Sequence, residues 1–188
     1  MSPIGWSNQA VYLQSGDPER ESNPTLAYPG QLGMRFTTRQ PHRAAAGAEE
    51  GRSKTYQIVK TDSTMTVAPF KGAVAWWADK TQYLVTTTVT ALGRGRIAGV
   101  FQNLPAYPIT RGHYTCIQTG GPGITKFVDG AAITANSGQF VIPSATNGKA
   151  DIIAAGTAAT YPVLGVIAGT LDASAMECIV DLDVPQTT

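Results

Sequence analysis

Apolar and polar positions alternate through much of the chain after residue 55. TYQIVK (55–60), TMTVAPF (64–70), GAVAWW (72–77) and YLVTTTVT (83–90) are rich in β-branched and aromatic residues, several with period two. YTCIQT, KFVDG, QFVIPS, ADIIAA, PVLGVIAG and ECIVDLDV follow the same pattern. Between the runs lie the turn signals DKTQ, LGRGR, TGGPG, NSG, TNGK and LDAS. No segment after residue 60 sustains a 3.6-residue apolar repeat over three turns. The pattern predicts an all-β body, a small β-barrel or β-sandwich, over residues 55–188.

Residues 1–54 read differently. PERESNPT, AYPGQLG and RQPHRAAAGAEEGR are proline, glycine and polar punctuation, and Pro3, Pro18, Pro24, Pro29 and Pro41 would each interrupt a helix. Yet Trp6, Tyr12, Leu13, Leu26, Tyr28, Met34 and Phe36 are too apolar for a solvated tail. Two arrangements satisfy both observations. The expected one is an extended N-terminal arm over residues 1–54 that packs on another surface, and the alternative is an ordered leader over its own domain. The arm reading makes Trp6, Tyr12, Tyr28, Met34 and Phe36 interface anchors, with Arg35 and Arg39 as flanking charges. Trp76 and Trp77 are adjacent and should face opposite sides of a strand, which leaves Trp77 as the one free for an interface.

An internal two-fold repeat spans 72–117 and 138–179. Gly72 to Gly99 and Gly138 to Gly165 are both separations of 27 positions. Each block ends in a glycine-valine strand (IAGVF, VLGVI) and is followed by a cysteine-isoleucine strand (HYTCIQ, AMECIV). The repeat explains GRGRIAGVFQN at 93–103, which lacks both the GK[ST] ending of a phosphate loop and the G-x-G-x-x-G spacing of a dinucleotide turn. GRGR is instead the turn into a strand, equivalent to ATYP in the second block. Gly99 and Gly165, inside strand patterns, mark bulges or close backbone approach.

Composition narrows the function classes. Charged residues are only 14% of the chain, well under the ~25% of an average soluble protein, so much of the surface should meet protein. A net charge of +1 argues against a dedicated nucleic-acid partner, and no apolar run is long enough to span a membrane. MSPIGWSNQAVYLQSG lacks the basic and apolar regions of a secretion signal, so synthesis in the cytoplasm is expected. Two cysteines, Cys116 and Cys178, are too few for a disulfide scaffold; both are expected as reduced core residues at matching strand positions. His113 and Cys116 have an odd spacing and point to opposite faces of a strand. The only other histidine is His42, too little for a zinc site, and Asp172, Glu177, Asp181 and Asp183 lack a calcium-loop pattern. No catalytic, cofactor-binding or metal-ligating residues and no cofactor are expected.

GAVAWWADKTQYLVTTTVT, GRIAGVFQN and ITRGHYTCIQTGGPG together resemble a family of phage head decoration, or capsid cement, proteins. The resemblance covers about residues 55–130 well and the remainder loosely. It implies a small β-barrel-like body that assembles as a homotrimer and binds the major capsid protein on the outer surface of an icosahedral shell. It implies localisation to the virion and no enzymatic activity. The alternatives are another phage structural component (tail, fibre-base or major shell protein) and an enzyme or carbohydrate-binding β domain. A major shell protein would usually be longer and carry a long helix.

Overall fold

The structure is a computed structural model that describes residues 17–25, 30–39, 52–89, 96–104, 106–131, 133–134, 138–153, 157–159 and 161–185. It is all-β, as the alternation predicts. The strands are β1 (Ser22–Asn23), β2 (Arg35–Arg39), β3 (Ser53–Thr61), β4 (Val74–Asp79), β5 (Leu84–Thr86), β6 (Ile97–Phe101), β7 (Tyr114–Lys126), β8 (Phe140–Pro143), β9 (Ala150–Ile152), β10 (Gly165–Asp172) and β11 (Glu177–Asp183). One 3₁₀ turn, Pro18–Arg20, precedes β1. TMTVAPF, read as a strand, lies outside every strand, and of the described residues of YLVTTTVT only Leu84–Thr86 are extended in the sheet.

Five strands close a barrel in the order β3-β5-β4-β6-β7. Hydrogen bonding is antiparallel throughout except between β3 and β5, and the β3–β7 pairing completes the ring. Val59, Ala75, Trp77, Val85, Phe101 and Ile117, one or two from each strand, share its interior. The reverse side of β4 and β6 is buried as well. Val74, Trp76, Ile97 and Val100 join Phe127, Val141, Ala150, Leu164, Ile167 and Val180 in a second core cluster. A strand covered on both sides can be apolar at every position, which accounts for the unbroken run VAWW.

The two blocks can be compared in register. In the first block Val74 and Ala75 pair with Val100 and Gly99; in the second, Phe140 and Val141 pair with Val166 and Gly165. Both third positions after the leading glycine therefore oppose the glycine of the glycine-valine strand. The strand order β5-β4-β6-β7 recurs as β9-β8-β10-β11, joined through the antiparallel β7–β11 pair. The C-terminal half of β7 pairs antiparallel with β11, and Phe127 just beyond it forms a parallel bridge to Ala150 of β9. These are the two partnerships that β3 makes with β7 and β5 in the first barrel. β7 is thus the last strand of one unit and the closing strand of the next.

This double role overturns one turn assignment. TGGPG does not separate two strands: β7 runs through it for 13 residues. A register shift at Thr55/Tyr56 opposite Gly120 and Gln118, with Gly121 at φ +78, absorbs the irregularity. The buried Gln118 side chain holds the bend by donating from Nε2 to the carbonyls of Gly120, Gly121 and Pro122, each at 3.0 Å.

Register also corrects the cysteine correspondence. Phe101 pairs with Ile117, whereas the equivalent Ile167 pairs with Val180, so Cys116 matches Ile179 and not Cys178. A slip of one residue exchanges faces. Cys116 accordingly lies under Phe36, Tyr56 and Ile58 outside the first barrel, while Cys178 lies in the second core cluster. Both thiols are free and buried.

Candidate interaction surface

The described parts of the N-terminal 54 residues cover the chain's own barrel. β2 pairs along its whole length with β3, and β1 pairs with the start of β7. Phe36, an expected interface anchor, is 8% exposed and stacks on Tyr56 at 5.9 Å between ring centroids. Met34 packs against the same cluster. Arg35 is exposed and donates from Nη2 to Thr119 Oγ1 at 2.8 Å; Arg39 ends β2 opposite Ser53. Trp6, Tyr12 and Tyr28 lie outside the described residues. So do Gly93, Arg94 and Gly95 of the GRGR turn.

Trp77 is not a free surface side chain. It is 7% exposed and meets Tyr83 edge-on at 6.2 Å within the barrel, while Trp76 is buried on the other side. The inference from alternation assumed one open face, and β4 has none.

A charged clamp fastens the leader. Glu19 Oε1, in the 3₁₀ turn, accepts from Tyr56 Oη at 2.9 Å and from Lys54 Nζ at 3.3 Å, and the Lys54 side chain is 3% exposed. Burial, then the neighbouring Glu19 carboxylate, pushes the Tyr56 phenol well above its usual range. The Glu21 carbonyl accepts from Thr115 Oγ1 and Asn103 Nδ2, which ties the leader to β7 and to the segment after β6. PERESN, read as punctuation, is a fitted part of the body. Its signal was chemical and not periodic: a buried lysine is stabilised by a carboxylate, and Glu19 supplies one.

Reactive groups are placed for structure. Burial raises the thiols of Cys116 and Cys178 above their ordinary range, which keeps them protonated. His113 Nδ1 lies 3.5 Å from Ser22 Oγ, which in turn accepts from the Thr110 backbone N–H and so pins β1. Asp79 and Asp172 each cap a hairpin turn. Asp79 accepts from the hydroxyl and N–H of Thr81, and Asp172 from those of Ser174. Those hydrogen bonds hold both carboxyls below the usual range. Among the described residues no group of three or more His, Cys, Asp or Glu side chains could hold a metal ion.

The surface that sequence reasoning missed belongs to the second unit. Cross-strand partners share a face. The pairs Lys126–Glu177, Ile124–Ile179, Asp181–Val166, Val166–Phe140 and Ile142–Asp151 therefore lay one stripe across β7, β11, β10, β8 and β9. Phe140 is 54% exposed, and Ile124, Ile142, Val166 and Ile179 are half-buried. The equivalent pair in the first unit, Ile58–Cys116, is roofed by Phe36 of β2. Among the described residues no strand roofs Ile124–Ile179. QFVIPS carried the signal in its alternation, which places Phe140 and Ile142 on the side opposite the buried Val141 and Pro143.

Comparisons of the chain with protein-family models, with curated proteins and with solved structures return no match.

Proposed function

We propose that the protein is a virion structural protein that coats the outer surface of a phage capsid and stabilises the shell, with the major capsid protein and further copies of itself, as a homotrimer, for partners. The observation that carries this reading is a face of the second unit that no described strand roofs, on which Ile124, Ile179, Val166, Phe140 and Ile142 stand half-buried or exposed with Asp181 and Asp151 between them, while the equivalent Ile58–Cys116 pair of the first unit is covered by Phe36. A partner chain that covers it removes apolar area from water at about 25 cal/mol per Å². Low charge density and a single sheet continued through two units fit a protein that is surrounded by protein in use. The segments that resemble decoration proteins contribute β4, β5, β6 and β7, four of the five strands of the closed barrel. Three copies on one shell would bind multivalently, which can raise avidity by roughly 10²–10⁴ over a single contact.

The experiment is to mix the purified protein with undecorated phage capsids, measure bound mass by sedimentation, and reconstruct the particles. Saturable binding with density at local three-fold positions supports the reading. A protein that stays in the supernatant, or binds only as scattered monomers, refutes the shell role or the trimer respectively. Phe140→Asp should weaken whichever contact uses the stripe while leaving the melting temperature in place.

A further inference from the structure

A pocket of about 540 Å³ opens at the seam between the two units. Phe70, Leu104, Pro108 and Ile109 give it an apolar floor, contributed by the segments that precede β4 and follow β6. Lys71, Lys126 and Lys149 line it from three separate parts of the chain: before β4, at the end of β7, and in the turn before β9. The sequence holds six lysines in all, so half of them converge on one cavity of a sparsely charged protein.

Two of the three already hold carboxylates. Lys126 Nζ is 3.0 Å from Glu177 Oε1, and Lys149 Nζ is 3.1 Å from Asp129 Oδ1. Lys71 has no ion-pair partner among the described residues. Of these two acids only Glu177 lines the pocket, so the lining carries three positive charges against one negative. The surface continues outside the cavity. Tyr107, on the loop that supplies Leu104 and Pro108, is 41% exposed, and the Arg20 guanidinium sits 5.0 Å from its ring centroid. An apolar floor with a cationic rim is complementary to an apolar group flanked by negative charge. Because the same combination of aromatic and cation recurs beyond the rim, the matching ligand is larger than a single small anion.

We infer that this pocket is a docking site for an extended, acidic segment of a partner polypeptide, which inserts an aromatic or leucine side chain over Phe70 and Ile109 and sets an adjacent carboxylate against Lys71. The inference stands on the pocket itself and does not depend on the shell reading.

The probe is the peptide acetyl-Gly-Asp-Phe-Asp-Gly-amide, titrated into ¹⁵N-labelled full-length protein. Backbone amide shifts are followed at Lys71, Asn103, Ile109 and Lys126. The expected result is saturable movement of these signals at peptide concentrations below about 10 mM. Replacing both peptide aspartates with asparagine, or Lys71 with Glu, should weaken binding about tenfold or more. Lys71→Gln serves as the second variant, and the unchanged remainder of each spectrum reports that the fold is intact. Absence of saturable shifts in the wild-type protein overturns the inference. So does equal binding of the asparagine peptide, or equal shifts with acetate alone, which would mark a bare-anion site. Shifts that appear on concentrating the protein without peptide would assign the pocket to a second copy of this chain and overturn it too.

Discussion

Gln102 is bound to Ile124 as one strand is bound to the next. Its side-chain Nε2 donates to the Ile124 carbonyl at 2.9 Å, and its Oε1 accepts from the Ile124 N–H at 3.2 Å. The side chain extends the reach of β6 beyond its last residue, across the point where β7 passes from the first unit to the second. Gln102→Ala should lower unfolding free energy by about 1–3 kcal/mol for each buried group left without a partner. Urea unfolding monitored by tryptophan fluorescence reads this directly. A loss under half a kilocalorie would mean that water replaces the amide.

Gly99 and Gly165 should both be intolerant of a side chain. A β-carbon on Gly99 would stand 2.6 Å from the carbonyl oxygen of Gln118, and one on Gly165 would collide with that of Asp181. Gln118 and Asp181 follow Ile117 and Val180, the paired positions that define the repeat, so one steric requirement is met twice. Gly99→Ala and Gly165→Ala are each expected to cost on the order of 1–3 kcal/mol through displaced backbone. Thermal unfolding of both variants tests it, and Gly165→Ala should be the worse.

Stability should fall at high pH through Tyr56. The folded phenol keeps its proton to a pH well above the ordinary value of 10.0, whereas the unfolded one releases it near that value. The unfolded state therefore binds fewer protons above pH 10, and the free energy of unfolding declines there as pH rises. Tyr56→Phe should flatten the alkaline arm of the stability curve while losing the hydrogen bond to Glu19 at every pH. If wild type and variant decline in parallel above pH 10, the phenol is not the cause.

Removal of residues 1–54 should not release a folded body. It strips β1, β2 and the 3₁₀ turn, deletes Lys54 and Glu19, and uncovers Tyr56, Ile58 and Cys116. Loss of Phe36 alone is comparable to a core deletion of about 3–5 kcal/mol. The expected product is aggregated or non-cooperatively melting protein, as seen by size-exclusion chromatography and calorimetry. A soluble, sharply melting fragment would show that the leader is dispensable.

Both thiols should resist a disulfide-exchange reagent until the protein unfolds, since each is buried and held in its protonated form. Cys116→Ala and Cys178→Ala should each cost on the order of 1–2 kcal/mol. Fast modification of either native thiol would contradict the burial.

Sequence periodicity revealed the all-β class and most strand positions, because a sheet with buried and open sides writes its own alternation. It failed where a second physical cause replaced that alternation. VAWW is apolar throughout because both its sides are covered, so alternation could not say which tryptophan was free. TGGPG looks like a turn because its glycines and proline remove local strand preference. The side chains of Gln102 and Gln118 restore the lost hydrogen bonding from a distance that no window of sequence spans. The leader was misread for the same reason: its hold on the body is one ion pair, one phenol and a short strand, none of which is periodic. The stripe on the second unit was legible in QFVIPS only once β2 was known to roof the first.

A strand shared by two units also has a mechanical meaning. β7 is bonded to β3 and β6 along its first half and to β11 along its second. Tension that drew the units apart along β7 would load those bonds together, in shear, and could not open them one by one from an end. On the proposed shell role, a capsid that swells or is pressurised from within would pull on a clasp that resists as a whole until it fails as a whole.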